Sequence, residues 1–318
     1  MGPALAALCA AALLAGPACA QDMIALPNLV ITGSRIESGI TGASTSVITA
    51  EEIARSPAQS LPEILAQAPG VQLQSLFGGV NGARSSVDLR GFGATASSNT
   101  LVLINGRRVQ DLDLQGVDLA AIPRDSIERI EITRGNSGAV LYGDGAVGGV
   151  VNIVTKTGTS LPPSLRVEGG AGSFNHLEGN VSAAGSLGAF SASAFANAIT
   201  ADGYRVNNEY RQRNAVGDFR YRFDGGSVYF NIGGDEQHLG LPGGRLVDPT
   251  LGVNQLITNP RGATTPFDYA DKQGFNATAG VAYALAPGAE LIVDGGVRQK
   301  KQQAAFHGNW MDPSSADP

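Results

Sequence analysis

Cysteine occurs only twice in this 318-residue chain, as Cys9 and Cys19, and both fall within the first twenty residues. Charge is scarce as well: 22 basic and 28 acidic residues make 16% of the chain and leave a net charge of -6. An average soluble protein carries about 25% charged residues. No block of like charge interrupts the sequence, which argues against a nucleic-acid-binding domain. The three histidines, His176, His238 and His307, are scattered without ligand spacing and read as loop or lumen residues, so no metal site is expected. Beyond the N-terminus, no apolar run approaches the ~20 residues of a transmembrane helix. Glycine, by contrast, is abundant at 43 residues, about twice the usual ~7% share. It shows no three-residue period, which excludes collagen.

The first twenty residues account for the cysteines. An apolar core, Ala4 to Leu14, is followed by a breaker, Gly16-Pro17, and a small-residue end, Ala18-Cys19-Ala20, before Gln21. This is the pattern of a secretory signal peptide cleaved after Ala20. Its n-region lacks Lys and Arg, so the amine of Met1 is its only charge, unless the true start lies upstream. A lipoprotein reading would make Cys19 the acylated first residue, but Gly16-Pro17-Ala18 matches the required small-apolar run poorly. Cleavage removes both thiols and with them any disulfide, cysteine nucleophile or thiolate metal site.

Downstream, an extended stretch from Asn28 to Thr32 and a Gly/Ser/Thr-rich linker, Gly39 to Ser46, lead to two expected short helices. Each is announced by a capping box, Thr49 with Glu52 and Ser60 with Glu63; Pro62 lies in the first turn of the second and Pro69-Gly70 stops it. Strand-like runs follow at Val71 to Gln74, Val87 to Leu89, Leu101 to Ile104, Arg129 to Thr133 and Gly149 to Thr155. Together they predict a small mixed α/β domain. After Leu161-Pro162-Pro163 the texture changes to alternating segments of about 10–14 residues, and about seven strands are expected from Ser164 onward. In Asp218-Phe219-Arg220-Tyr221-Arg222-Phe223-Asp224 the aromatics share one face and the charges the other. A soluble sheet would turn that aromatic face inward and a membrane barrel would turn it toward lipid; one strand does not decide. The connections favour the barrel: apart from the first hairpin, short turns lie at one end of the strands and long loops, Ala201 to Arg211 and Leu239 to Lys272, at the other.

Five segments carry a resemblance: Asn28-Leu29-Val30-Ile31-Thr32-Gly33-Ser34-Arg35, Leu89-Arg90-Gly91-Phe92, Leu101 to Arg107, Ile127 to Gly135, and Leu141 to Ile153. In this order and spacing the chain resembles the plug of TonB-dependent outer-membrane transporters over residues 28–157. The resemblance implies a signal peptide over 1–20, a TonB box with its linker over 21–38, a plug over 39–158 and a partial transmembrane β-barrel over 159–318. Twenty-two barrel strands are expected in the complete protein. The residues after Gly158 suffice for about eight, and the chain ends without a terminal aromatic strand, so it reads as a fragment. The N-terminal TonB box is assigned to Asn28, Leu29, Val30, Ile31, Thr32 and Gly33, with the first plug strand as the alternative. Apical plug loops would meet substrate through Phe77, Asn81, Arg84, Gln110, Asp111, Asp113 and Gln115, against the alternative of plain solvated loop. Arg90 and Arg134 would lock the plug to glutamates of the barrel wall, or else pair with Glu128 or Glu131 inside it.

Other chemistries fit less well. Gly143-Asp144-Gly145-Ala146-Val147-Gly148 satisfies a dinucleotide-binding pattern, yet the β-branched run after it reads as strand where that fold needs a helix. Gly135-Asn136-Ser137-Gly138-Ala139 misses a nucleophile elbow at its last position. No enzyme activity and no cofactor are expected. The function implied is active uptake of a scarce nutrient, such as a ferric siderophore, cobalamin or haem, across the outer membrane of a Gram-negative cell. The plug would face the periplasm. Expected partners are TonB with the inner-membrane ExbB-ExbD complex, a metal chelate or other bulky nutrient, and outer-membrane lipid. The alternatives are a secreted β-rich adhesin or soluble enzyme, or a fragment that does not transport.

Overall fold

A computed structural model describes residues 44–58, 60–75, 85–110, 116–143 and 145–307. The signal segment and Asn28 to Gly33 lie outside the described residues. The N-terminal unit opens with β1 (Ser44–Thr49), which ends on the cap of α1 (Ala50–Arg55). The expected box closes here: the Thr49 side chain accepts from Glu52 N while Glu52 reaches back to the Thr49 amide at 2.7 Å. The second box does not close. Ser60 stands at the N-cap of α2 (Leu61–Ala66), but its side chain makes no cap hydrogen bond, and its buried hydroxyl has no partner among the described residues. Pro62 in the first turn fixes the backbone there, and burial of Leu61, Ile64 and Leu65 holds the helix in place.

The strands follow close to their expected positions: β2 (Gln72–Ser75), β3 (Ser85–Asp88), β4 (Thr100–Ile104), β5 (Arg107–Arg108), β6 (Ile127–Arg134) and β7 (Gly149–Thr155). A single helical turn, α3 (Ala96–Asn99), precedes β4. Five of the strands form one sheet in the order β1-β6-β7-β4-β5, with β4 and β7 parallel, while β2 pairs with β3 alone. One face of that sheet packs Val102, Ile130, Ile132, Val151 and Ile153 against Ile53, Leu61, Ile64 and Leu65 of the helices. The sequence reading missed α4 (Ser137–Tyr142), which follows β6 directly. The glycine-rich run after it makes turns, Gly143 and Gly145 both adopting positive φ, and leads into β7 and not into a helix.

The second unit is a single antiparallel sheet: β8 (Ser164–Gly172), β9 (His176–Leu187), β10 (Phe190–Ala201), β11 (Tyr210–Phe223), β12 (Gly226–Gly240), β15 (Tyr269–Ala286) and β16 (Ala289–Ala305), paired in chain order. The long loop between β12 and β15 carries a two-residue pair, β13 (Val247–Asp248) with β14 (Val253–Asn254), and one helical turn, α5 (Gln255–Thr258). The register settles which face is which. Phe219 pairs with Phe230, and Tyr221 with Val228; these side chains and Phe190, Phe275, Tyr283 and Val293 are all solvent-exposed on the outer face. Asp218, Asn214 and Gln212, one residue out of step, are buried on the inner face. Aromatics outside and polar groups inside invert the arrangement of a soluble sheet. On β15 the apolar outer positions run from Phe275 to Leu285, with Gln273 and Asp271 beyond them. At ~3.4 Å per residue and a tilt of ~45°, that stretch spans about 24 Å, the height of the apolar band of an outer-membrane barrel.

Candidate functional site

Part of the inner face of the large sheet is covered by the first unit, and the contacts begin at a turn that the sequence encodes. Asn105 and Gly106 both take positive φ, 50° and 76°, the conformation of a type I′ hairpin turn. The Asn105 side chain bridges to Thr155 at 2.8 and 2.9 Å, and the Gly106 amide donates to Asn152 Oδ1 at 3.0 Å. Asn152 in turn donates to buried Glu131 at 2.9 Å, whose other oxygen accepts from Arg129 at 2.8 Å. So braced, the turn aims Arg107 at the wall. Its guanidinium bonds Asp294 of β16 at 3.0 and 3.1 Å and Tyr229 of β12 at 2.5 Å, and the Tyr229 hydroxyl donates to Asp294 at 3.1 Å. Burial works to lower the Arg107 pKa, but the Asp294 hydrogen bond and the neighbouring Tyr229 and Asp294 hold it above the ordinary arginine value.

A second junction lies at the 3-10 turn Leu119–Ala121. Asp118, just before it, pairs with Lys272 of β15 at 2.6 Å, both side chains nearly buried. Gln212 and Asn214 of β11 donate to the carbonyls of Ala120 and Ala121. Arg298 of β16 donates to the Val109 carbonyl, and Ser193 of β10 to that of Lys156. Lys156 itself donates to the Asp125 carbonyl at 2.9 Å and sits 6.0 Å from the Phe195 ring; burial lowers its pKa. Between these contacts remains a cavity of about 290 Å³, lined by Asn105, Lys156, Phe195, Asp218 and Asp235 among others. A larger recess of about 1050 Å³ opens toward the long loops, along Gln212, Gln237, Lys272 and Gln302. The register lays these four side by side across β11, β12, β15 and β16, one cross-strand row that no single-strand pattern reveals.

The residues singled out from sequence are placed unevenly. Phe77, Asn81, Arg84, Asp111, Asp113 and Gln115 lie outside the described residues. Gln110 is pinned, its amide nitrogen donating to the carbonyls of Ser97 at 2.9 Å and Thr100 at 2.8 Å. Arg134 donates twice to the Pro69 carbonyl, at 3.0 and 2.6 Å, and so ties β6 to the segment after α2. The Arg90 guanidinium lies against Gly135, where a Cβ would stand 2.7 Å from it. The internal partner suggested for these arginines is corrected: Arg129, in-strand neighbour of Glu128 and Glu131, binds both carboxylates. In the Leu89-Arg90-Gly91-Phe92 segment the anchor is Asp88, which accepts from the amides of Arg90, Gly91 and Gly93 at 3.0, 2.8 and 2.7 Å. Burial raises its pKa, but the backbone donors outweigh that and hold it below the usual carboxylate value. His238 is corrected too. It alternates with buried Gln237 and so projects outward, bonding Asp271 at 2.6 Å and stacking on Tyr269. No cluster among the described residues has the donor set of a metal site.

A plug-like sheet seated on the polar face of an outward-apolar wall has a counterpart among known proteins. Residues 40–150 match the family model of the TonB-dependent receptor plug domain. The chain belongs to the TonB-dependent receptors. It is 37% identical over 248 residues to the vitamin B12 transporter BtuB of Photobacterium profundum, a match that takes in 76% of this chain and 38% of the relative. It is likewise 37% identical over 145 residues to the ferrienterobactin receptor of Escherichia coli, over 42% of this chain and 18% of that one. Among solved structures, the unliganded ferric citrate transporter FecA superposes on 84% of the chain with a TM-score of 0.70 at 20% identity, and 41% of FecA is covered. FyuA of Yersinia pestis, a ferric yersiniabactin uptake receptor, does so with a TM-score of 0.63 at 18% identity, over 83% and 42%. The chain thus spans well under half the length of the relatives it matches, and its sheets correspond to a receptor plug and the first strands of a receptor barrel.

Proposed function

We propose that this chain forms the plug and adjoining wall of a receptor that takes up a bulky, scarce nutrient across the outer membrane of a Gram-negative cell. The observation that carries this reading is the seating of the plug on the wall. Arg107 and Asp118 reach across to Asp294 and Lys272 through polar contacts, while the outer face of the same strands offers lipid an apolar band. Polar contacts between two folded surfaces can re-form after rupture, which suits a gate that must open and close. Relatives named as vitamin B12 transporters and ferric enterobactin receptors support a cobalamin or a ferric siderophore as the class of nutrient.

The outer membrane holds no nucleotide and no ion gradient, so the work of opening comes from elsewhere. In this reading TonB, coupled to the ExbB-ExbD complex, adds a strand to the extended run Asn28 to Gly33 and pulls. The inner-membrane gradient behind it is worth ~2.3 kcal/mol per charge per 100 mV. The periplasmic pull acts on β1, whose pairing with β6 leads straight to β7 and the Asn105-Gly106 turn. Substrate arrives from the opposite, apical side, at Phe77, Asn81, Arg84, Gln110, Asp111, Asp113 and Gln115. Arg90 and Arg134 brace the plug side of the lock that this reading places against wall glutamates.

The test is accumulation of labelled cyanocobalamin and of ferric enterobactin by receptor-deleted cells that express the whole receptor, with and without TonB. TonB-dependent accumulation of one of them is expected. Accumulation that ignores TonB, or none of any ferric chelate or corrinoid, refutes the proposal.

A further inference from the structure

In the loop 241–268 a guanidinium is shielded from solvent and forms no ion pair among the described residues. The three side-chain nitrogens of Arg245 are shielded from solvent and have no hydrogen-bond partner among the described residues. Buried charges are ordinarily paired, because losing the hydration of an ion is offset only by an opposite charge or a full set of acceptors. A second guanidinium lies beside it. Arg205 donates to the carbonyls of Gly262 at 3.0 and 3.1 Å, Gly243 at 2.6 Å and Pro242 at 3.1 Å. Arg245 lies beside the same Gly262: a Cβ there would stand 2.9 Å from its Nη1, and 2.6 Å from the Asn259 side-chain amide nitrogen. Burial and then the charge of Arg245 lower the pKa of Arg205.

Among the described residues, the acids of these loops lie against groups other than Arg245. Asp202 accepts from Asn175, Asp248 caps its own turn through Thr250, and Asp268 accepts from the His307 amide at 2.7 Å. Glu209 lies 3.7 Å from His238. The next cation along, Arg261, donates to the Tyr204 carbonyl and rests over the Phe174 and Tyr204 rings, which adds positive charge to the bundle and no negative charge. What would complete the site is an acceptor-only group with at least two oxygens, matching the flat fork of a guanidinium.

We propose that Arg245, with Arg205 beside it, binds an oxyanion: a carboxylate or phosphate group delivered from outside the chain. The site is a property of the loop bundle and stands or falls independently of what the receptor transports. Two sources share this chemistry, a soluble anionic ligand and the phosphate of a lipid headgroup.

Tryptic cleavage at Arg245-Leu246 and Arg261-Gly262, followed by mass spectrometry on the whole receptor, tests it. Ionic strength is fixed with sodium chloride, and separate arms add inorganic phosphate, acetate, or nanodiscs of phosphatidylcholine with and without phosphatidylglycerol. An anion at about ten times its dissociation constant should slow cleavage at both bonds about tenfold and leave cleavage elsewhere unchanged. Protection by the free anions assigns the site to a soluble ligand; protection only by the anionic nanodiscs assigns it to lipid phosphate. No protection in any arm, or equal protection by chloride alone, overturns the proposal. In Arg245→Met the Arg261 bond should lose its anion dependence. Full retention there overturns the role of Arg245, and if that variant does not fold, the wild-type arms decide.

Discussion

Replacing Lys272 with methionine tests the seating of the plug most directly. Lys272 Nζ lies 2.6 Å from Asp118 Oδ2, with side-chain exposures of 10% and 13%, and the other Asp118 oxygen already has no hydrogen-bond partner among the described residues. Methionine keeps most of the volume and removes the charge, so the variant leaves a carboxylate buried with nothing to offset it. Breaking a buried pair from one side costs about 3–5 kcal/mol. At 1.4 kcal/mol per decade, the plug should detach from the wall roughly a hundred to a few thousand times more often. The double variant Asp118→Leu/Lys272→Met removes the stranded charge and should recover most of that loss, falling within about 1 kcal/mol of wild type, because well-packed hydrophobic residues replace a buried ion pair at little cost. Hydrogen exchange at the backbone of Leu119 to Ile122, in the whole receptor in nanodiscs, reads the detachment. A single variant that exchanges like wild type, or a double variant no better than the single one, would mean that water reaches this pair and that it does not hold the plug.

The other expectations concern separate links. Thr49→Ala should cost about 1 kcal/mol in chemical unfolding, whereas Ser60→Ala should cost almost nothing, since Ser60 caps no amide in the folded state. Gly106→Ala forces a Cβ into positive φ at the turn that aims Arg107 and should cost about 1–2 kcal/mol; a neutral result would mean that the turn has another conformation. Because the folded pKa of Asp88 is depressed, its stabilisation is present above the ordinary carboxylate value of ~3.9 and is lost as pH falls through the folded value. Exchange of the Arg90, Gly91 and Gly93 amides should therefore accelerate only in strong acid, and should be fast at every pH in Asp88→Asn. Val30→Pro should abolish TonB-dependent uptake while leaving nutrient binding nearly intact; unchanged uptake would move the TonB box elsewhere.

Local chemistry was enough to locate several of these features from sequence. Asn105-Gly106 carries the signature of a type I′ turn as well, a pair that readily takes positive φ twice in succession, although only the structure drew notice to it. Thr49 and Glu52 close their box within four residues, and the sorting of short turns from long loops needs only the spacing of the strands. Whatever depends on a partner distant in sequence was beyond that reach. A two-residue period says that Phe219, Tyr221 and Phe223 share a face but not which way it points; the buried polar contacts of Gln212 and Asn214 with the plug decide that they point outward. Glu131 could have paired with any nearby arginine, and strand register gave it Arg129 and left Arg134 to the Pro69 carbonyl. Asp118 and Lys272 meet across 154 residues, and Arg205 and Arg245 come to lie beside Gly262 only once two loops have folded over each other. Such pairings are set by the closure of long chain segments around a common core, and nothing in the identity of either partner encodes the distance between them.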